Sequence, residues 1–406
     1  LDKRSLRPFK SLISFDEAQK ISLGAAKPIA REEKVDVQEA NGRVLSENVV
    51  AGIAVPPFDR AAMDGYAVVA SDTFGAGQFE PKILKIVGSV HAGEVPKRDI
   101  SQSLCMEIAT GAKIPKGADA VVMIEDTEIE GEEVKIFKPV YPEANLSKMG
   151  SDISMGEVIL KEGEFLNPSK TGVLASLGLR DVRVYEKPKV AIIPTGNEVA
   201  GIGKELKEGQ VYNSNSYALE SIARENGGLP TRMEIVEDTF EAIKASIERA
   251  LSLDFVVLSG GSSVGERDVL VDVIEDMGKV LFHGVQVKPG KPLLLGLVEE
   301  KLVLGTPGYP TACLIDGYVF MAPIIRILGH LPKIERQKVK ARISRRVVST
   351  LGRQQFLTVK LNDNEAIPVF KESGAITSMA EAHGYVEIAA NVDLIEKGDE
   401  VEVFLF

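Results

Sequence analysis

Apolar and polar positions alternate differently along successive stretches of this chain. Residues 14–25 read SFDEAQKISLGA, an amphipathic helix with Ser14 placed to cap it and Glu17 completing a capping box. Residues 34–48 begin with a short strand, VDV, and run into a helix or turn around Asn41-Gly42. From residue 49 to about 149, short β-branched runs such as 82–90 and 120–125 are punctuated by Gly and Pro, which predicts a mostly β insert. A helix is expected at 167–177, where Pro168 suits the first turn. Beyond Glu186-Lys187-Pro188 the texture changes. KVAIIP (189–194), FVVLS (255–259) and 302–305 read as buried strands, and 217–225, 240–251, 268–277 and 312–328 as helices. That alternation predicts βαβ units, a parallel sheet and helices on both faces. After Pro332 the helical period disappears, and 339–348, 356–361 and 400–404 alternate like strands of a small β domain. No fixed-period repeat or low-complexity segment interrupts the pattern.

Composition narrows the picture. The 406 residues suffice for several domains, and 44% hydrophobic with 26% charged residues is ordinary for a globular protein. A net charge of -11 argues against nucleic acid as the main partner, since phosphate-backbone binding needs excess cations. Cys105 and Cys313 are too few for a disulfide framework or a four-cysteine zinc site. Residues 1–10 lack a signal-peptide pattern, and the longest apolar candidate, 317–328, is interrupted by Arg326. A cytoplasmic protein with no membrane association is therefore expected.

Candidate chemistry gathers in the loops after the apolar strands. KVAIIP runs into Thr195-Gly196-Asn197-Glu198. FVVLS runs into Gly260-Gly261-Ser262-Ser263-Val264-Gly265-Glu266-Arg267-Asp268, and LVLG into Thr306-Pro307-Gly308-Tyr309-Pro310. Each is an ordinary βα turn taken alone. Together they would crowd the carboxyl ends of parallel strands, where open α/β sheets bind ligands. Lys288-Pro289-Gly290-Lys291-Pro292 presents two cations on a restricted backbone, suited either to an anion or to a solvated hairpin turn. Glu198, Asp238, Glu266 and Asp268 supply hard oxygen ligands suited to Mg²⁺ with phosphate, although Asp238 also reads as a helix N-cap. Gly261-Ser262-Ser263-Val264-Gly265 matches a nucleophile elbow, which leaves open a serine hydrolase using Ser263 with His283, His330 or His383. In the first half, Asp64-Gly65 reads as a tight hairpin turn.

The segment 56–68, PPFDRAAMDGYAV, closely resembles the PPFDxSAMDGYA signature of the MoeA family and of the related gephyrin E domain. Thr110-Gly111-Ala112 with Pro115 and Gly117-Ala118-Asp119-Ala120-Val121-Val122 is similar to the family's TGAxxPxGADAVV. Gly150-Ser151-Asp152-Ile153 resembles GEDI, and Ala175-Ser176-Leu177-Gly178 resembles ASLG. TGNE, SGGSSVGERD, VKPGKP and TPGYPTA follow in the family's order, so the resemblance spans nearly the whole chain. It implies a multidomain α/β plus β protein. Residues 1–48 and 148–186 would form a discontinuous, elongated first domain, and 49–147 an inserted mostly β domain. Residues 187–331 would form a MogA-like doubly wound α/β domain, and 332–406 a β-barrel-like C-terminal domain.

The resemblance further implies a molybdopterin molybdenumtransferase of molybdenum cofactor biosynthesis. Its substrates would be adenylylated molybdopterin and molybdate, and AMP would leave in a Mg²⁺-dependent step. A homodimer with a site shared between subunits is implied, with a MogA-like adenylyltransferase upstream and molybdoenzyme acceptors downstream. Carried over by position, the catalytic candidates are Asp64, Thr110, Glu198, Asp238, Asp268 and Lys288, with Glu198, Asp238 and Asp268 as metal ligands. Substrate-binding candidates are Asp152, Gly260, Gly261, Ser262, Gly265, Arg267, Lys291, Pro307, Gly308, Pro310 and Ser373. Asn197, Tyr309, Gly284 and Thr358 depart from residues that members carry there, which leaves both molybdate and tungstate open. The rival readings are a non-catalytic, gephyrin-like scaffold and the Ser263 hydrolase.

Overall fold

The computed structural model describes residues 12–260, 269–371 and 374–406. Gly261, Ser262, Ser263, Gly265, Glu266, Arg267, Asp268 and Ser373 lie outside the described residues. The chain forms two compact units. One comprises residues up to Glu33, Gly42–Val44 and Arg183–Phe406; the other comprises Lys34–Asn41 and Leu45–Val182.

The first unit contains the expected α/β domain. Its sheet runs in the order Leu229–Arg232, Lys189–Pro194, Phe255–Ser259, Lys301–Thr306, Leu294–Val298, Lys279–His283. Alternation along the strands divides the core. Val190, Ile192, Phe255 and Val257 face one side, packed with Leu219, Ile222, Ile324 and Ile325. Ala191, Ile193, Val256 and Leu258 face the other, packed with Ile243, Ile247, Val273 and Ile274. Both faces are thus covered by helices, which is why the strands read as continuous apolar runs.

The sheet is mixed rather than purely parallel. Leu294–Val298 is antiparallel to Lys301–Thr306, and Lys279–His283 is antiparallel to Leu294–Val298. A reversed hairpin at the edge replaces the last βα crossover. Hydrophobic periodicity carries no information about strand direction, so this was invisible in the sequence.

Ser14 caps the helix Phe15–Ala25, accepting the Glu17 amide at 3.2 Å. Phe15 packs edge-on against Phe320 and Phe356, with ring centroids 5.5 and 5.2 Å apart. The helix packs into the same core as one face of the α/β sheet.

In the tail, Lys338–Ile343, Gln354–Asn362, Glu365–Pro368, Gly384–Ile388 and Glu400–Leu405 pair around a closed barrel. Val359, Ala366, Val386 and Val403 fill it. Val287–Lys288 joins its rim, pairing in parallel with Gln354 and Gln355.

The second unit contains the β insert. Its sheet order is Ala120–Met123, Gly65–Val68, Leu104–Ile108, Lys82–Val90, Glu133–Ile136, Thr127–Glu130. Tyr66, Val68 and Val122 pack on one face, and Ala67, Val121 and Ile108 on the other. Pro168–Ser176 is helical, with Asn167 capping the Lys170 amide.

The expected Asp64-Gly65 hairpin does not form. Arg60–Ala61 pairs with Leu146–Ser147, whereas Gly65–Val68 pairs with Leu104–Ile108 and Ala120–Met123. Gly65 crosses so close to its neighbour that a Cβ would lie 1.8 Å from the Val122 carbonyl oxygen. That close approach draws the strand after Asp64 into the middle of the sheet.

The helical run Pro310–Leu328 is long and apolar enough, by length and composition, to cross a membrane. Its 19 residues exceed the 317–328 stretch judged from sequence, but 72% of it is buried inside the protein, where it forms core. Both cysteines are buried, and burial pushes each thiol up to about 12. Neither should react with an aromatic disulfide reagent at pH 8 in the native state, and both should react after unfolding in urea. Rapid labelling of the native protein would contradict this placement.

Candidate functional site

The βα loops of the α/β domain converge at the carboxyl ends of its parallel strands. The Thr195 amide donates to Ser259 O at 3.0 Å, and the Gly260 amide to Thr306 O at 3.1 Å. Gly260 has a φ of +101°, and a Cβ there would lie 2.6 Å from Thr195 O. A Cβ on Gly308 would lie 3.8 Å from the Gly260 Cα. Thr195, Gly260 and Gly308 thus close on one another as one floor at the strand ends, an approach that bare glycine backbone permits.

The Lys288–Pro292 loop reaches the same edge because of the antiparallel hairpin. Leu294, just beyond the loop, is opposite Gly305 at the carboxyl end of its neighbouring strand. Backbone bonds fix the loop: the Val285 amide donates to Lys291 O at 2.9 Å and the Leu293 amide to Gly290 O at 3.2 Å. Lys288 Nζ donates to Thr350 Oγ1 at 3.2 Å, tying the cation to the barrel segment.

Two candidate carboxylates sit beside the first loop. The Val236 amide donates to Pro194 O and the Gly196 amide to Val236 O, carrying the sheet edge past the strand ends. Asn197 Oδ1 then accepts the Asp238 amide at 3.3 Å, so Glu198 and Asp238 belong to one corner. Glu198 is exposed, and its carboxylate folds back over Gly196. The helix cap expected of Asp238 is instead provided by Thr239, whose hydroxyl accepts the Ala242 amide. Asn197 therefore positions the corner through a neutral acceptor. Among the described residues, no three His, Cys, Asp or Glu side chains gather as a metal cluster.

Several residues at this floor went unmarked by sequence. Asn215 Nδ2 donates to Gly308 O at 2.8 Å, which leaves its Oδ1 buried without a partner. Ser216 Oγ is likewise buried and unpaired, as is Oγ1 of Thr195 in the first loop, already marked by sequence. The signal was present in the polar run Asn213-Ser214-Asn215-Ser216, but it reads as helix capping. Asn213 does act that way, accepting the Ser216 amide at 3.3 Å.

Of the other candidates, Pro307 is buried and Pro310 opens the helix Pro310–Asp316. Tyr309 is 66% exposed and lies against Gly374, beside the barrel. Gly284 has a φ of +90°, a conformation costly for a lysine, and Thr358 is fully buried, so neither position offers a cation. One ring nitrogen of His330 is paired with Ile29 O, and His383 Nδ1 accepts the Leu361 amide, so each ring has a structural bond of its own.

The second unit brings Asp64 and Thr110 together. The Thr110 amide and hydroxyl donate to Asp64 Oδ1 at 2.7 and 2.9 Å. These bonds hold the exposed Asp64 carboxyl below its usual range. Asp152 lies in the neighbouring segment, where its amide donates to Val55 O at 3.0 Å. The Gly150 amide bonds Pro56 O and the Gly111 amide bonds Ala61 O, clamping the 56–64 segment from both sides.

Residues 13–178 match the MoeA N-terminal region (domain I and II), 191–326 a probable molybdopterin binding domain, and 340–406 the MoeA C-terminal region (domain IV). A molybdopterin biosynthesis protein of Methanocaldococcus jannaschii is 36% identical over 98% of this chain and 100% of its own length. The molybdopterin molybdenumtransferase of Bacillus subtilis is 32% identical over 92% of this chain and 89% of its own. The solved MoeA protein of Pyrococcus horikoshii superposes with a TM-score of 0.85 at 42% identity, covering 97% of this chain and 99% of that one. By sequence, domain order and fold, this chain belongs to the MoeA family.

Proposed function

We propose that this protein is a molybdopterin molybdenumtransferase acting in molybdenum cofactor biosynthesis. Its substrates are an adenylylated molybdopterin and molybdate; the oxyanion joins the dithiolene and AMP is released. The reading is carried by one observation, the convergence of the Thr195–Glu198, Gly260, Lys288–Lys291 and Thr306–Pro310 loops at one sheet edge. Loops at the carboxyl ends of parallel strands suit a phosphate-bearing ligand, and Lys288 and Lys291 suit an oxyanion. Asn215 and Thr195 offer buried polar atoms to the neutral part of the ligand. Glu198 and Asp238 hold and orient water beside the pyrophosphate link.

The same corner fits Mg²⁺. Glu198 and Asp238 flank the Asn197–Asp238 bond, and oxygen donors of this kind suit a hard cation that completes its shell with water and substrate phosphate. Glu198 and Asp238 would hold it, with Asp268 as the third candidate, and the ion would neutralise phosphate charge. Mg²⁺ dependence belongs to this proposal.

Asp64, Thr110 and Asp152 act, in this reading, on the site of a partner subunit in a cytoplasmic homodimer. An exposed apolar strip supports association: Val50 and Val158, paired across two short strands, are 51% and 46% exposed, and nearby Met155 is 75% exposed. Light scattering should return twice the 43.8 kDa of one chain. A monomer at micromolar concentration would remove the shared site. The activity itself is tested by incubating the protein with adenylylated molybdopterin and molybdate or tungstate. Oxyanion-dependent AMP formation is expected, and none with either oxyanion would reject the proposal.

A further inference from the structure

Asp316 is the last residue of the helix Pro310–Asp316, just before the helix widens into the π turn Gly317–Met321. It is fully buried, and neither carboxyl oxygen has a hydrogen-bond partner. The carboxyl lies directly beneath the lysine loop. A Cβ on Gly290 would sit 2.5 Å from Asp316 Oδ1 and 2.9 Å from Oδ2. Gly290 is the residue between Lys288-Pro289 and Lys291, and its φ is +112°. The bare glycine and the flat carboxyl are therefore matched in shape, and the loop rests on the acid at its midpoint.

A buried polar group with unmade hydrogen bonds costs about 1–3 kcal/mol. An apolar side chain of similar size would avoid that cost, so space filling alone does not account for an acid here. We propose that Asp316 is a positioning residue: it seats Gly290 and thereby sets the spacing and direction of Lys288 and Lys291 for the incoming oxyanion. Burial raises its carboxyl well above the usual carboxylate range, which favours the uncharged form. Neutrality matters in this place. An ionised carboxylate beneath the loop would oppose the charge of the lysines and weaken their hold on an anion. The adjacent Cys313, also buried, adds no charge because its thiol is pushed up to about 12. The outer side of the loop is fixed by the Val285–Lys291 and Leu293–Gly290 backbone bonds, so Asp316 supplies the inner support.

This inference rests on the proposed oxyanion site. Its test uses direct binding of molybdate and tungstate by calorimetry to the full chain, alongside AMP release. Asp316→Ala should weaken oxyanion binding about tenfold or more and raise the molybdate KM correspondingly, with a smaller change in kcat, because a shift of about 1 Å in a binding group is costly. Asp316→Asn, uncharged and of the same shape, should restore affinity to within about threefold of wild type. A purely structural role would lower the melting temperature without this split between KM and kcat. Asp316→Ser, which also withdraws the flat carboxyl from Gly290, makes the same prediction as Ala and serves if the Ala variant does not fold. Unchanged affinity in a folded Ala or Ser variant overturns the inference, and so does an Asn variant as weak as Ala. Wild type that binds neither oxyanion would instead reject the proposed function beneath it.

Discussion

Glu198→Ala should lower kcat for oxyanion-dependent AMP release by about 10²- to 10³-fold, the usual cost of removing a group that holds reacting water or a proton in flight. Glu198 is exposed at the carboxyl edge of the sheet, on the loop that Asn197 ties to Asp238. Its side chain therefore contributes to the site and little to the core, and the melting temperature should move by no more than a few degrees. Glu198→Gln, which keeps the shape and removes the charge, should lose nearly as much activity. Asp238→Ala should fall in the same range but with a larger thermal effect, because Asp238 is partly buried. Full turnover in both Ala variants would remove the acidic corner from the chemistry, whatever the protein binds.

The second large effect is on stability. Asp254 is a heavily engaged carboxylate, with its side chain only 4% exposed. Arg31 grips it through two bonds at 2.9 and 2.7 Å, the Lys189 amide donates at 2.8 Å, and Lys301 Nζ lies 3.7 Å away. Arg31 also bonds Glu186 at 2.9 Å. The group joins the segment after the first helix to the amino-terminal ends of the central strands.

Asp254→Ala leaves the Lys189 amide without its acceptor and the half-exposed Arg31 guanidinium with Glu186 alone, and should cost about 1–3 kcal/mol. Burial pushes this carboxyl up, but the Arg31 bonds, the Lys189 amide and the nearby charges more than offset that, so it is held below the ordinary 3.8. A depressed folded-state value means that the stabilisation is complete above the unfolded value. It is lost as pH falls through the lower folded value, so acid unfolding should set in below about pH 4. The Ala variant should lose part of that acid dependence. Urea titrations at pH 7 and pH 3 measure both effects; an unchanged midpoint at pH 7 would contradict the assignment.

Much of the α/β domain was legible in the sequence for a physical reason. Strands covered on both faces, such as Lys189–Pro194 and Phe255–Ser259, must be apolar throughout, and they read that way. The glycine-bearing loops that follow them were equally visible. Strand direction was not, because a reversed strand keeps the same period, and so the hairpin that brings Lys288 and Lys291 to the carboxyl edge had to come from the structure. The Asp64–Thr110 pair was suggested only through family resemblance, since the residues lie 46 positions apart. Asn215 and Ser216 were missed because polar residues at helix starts are usually caps. Asp316 was missed because a single acid at the end of an apolar helix normally faces water, and nothing local shows that Gly290 is pressed against it.

Hydrogen–deuterium exchange of the full chain, with and without AMP plus molybdate, probes the ligand's location most directly. Protection should concentrate in segments 195–200, 213–217, 286–292 and 306–311, where backbone amides line the strand ends. Protection confined to the opposite, amino-terminal edge around Lys189, Asp254 and Lys301, with those segments unchanged, would contradict the account.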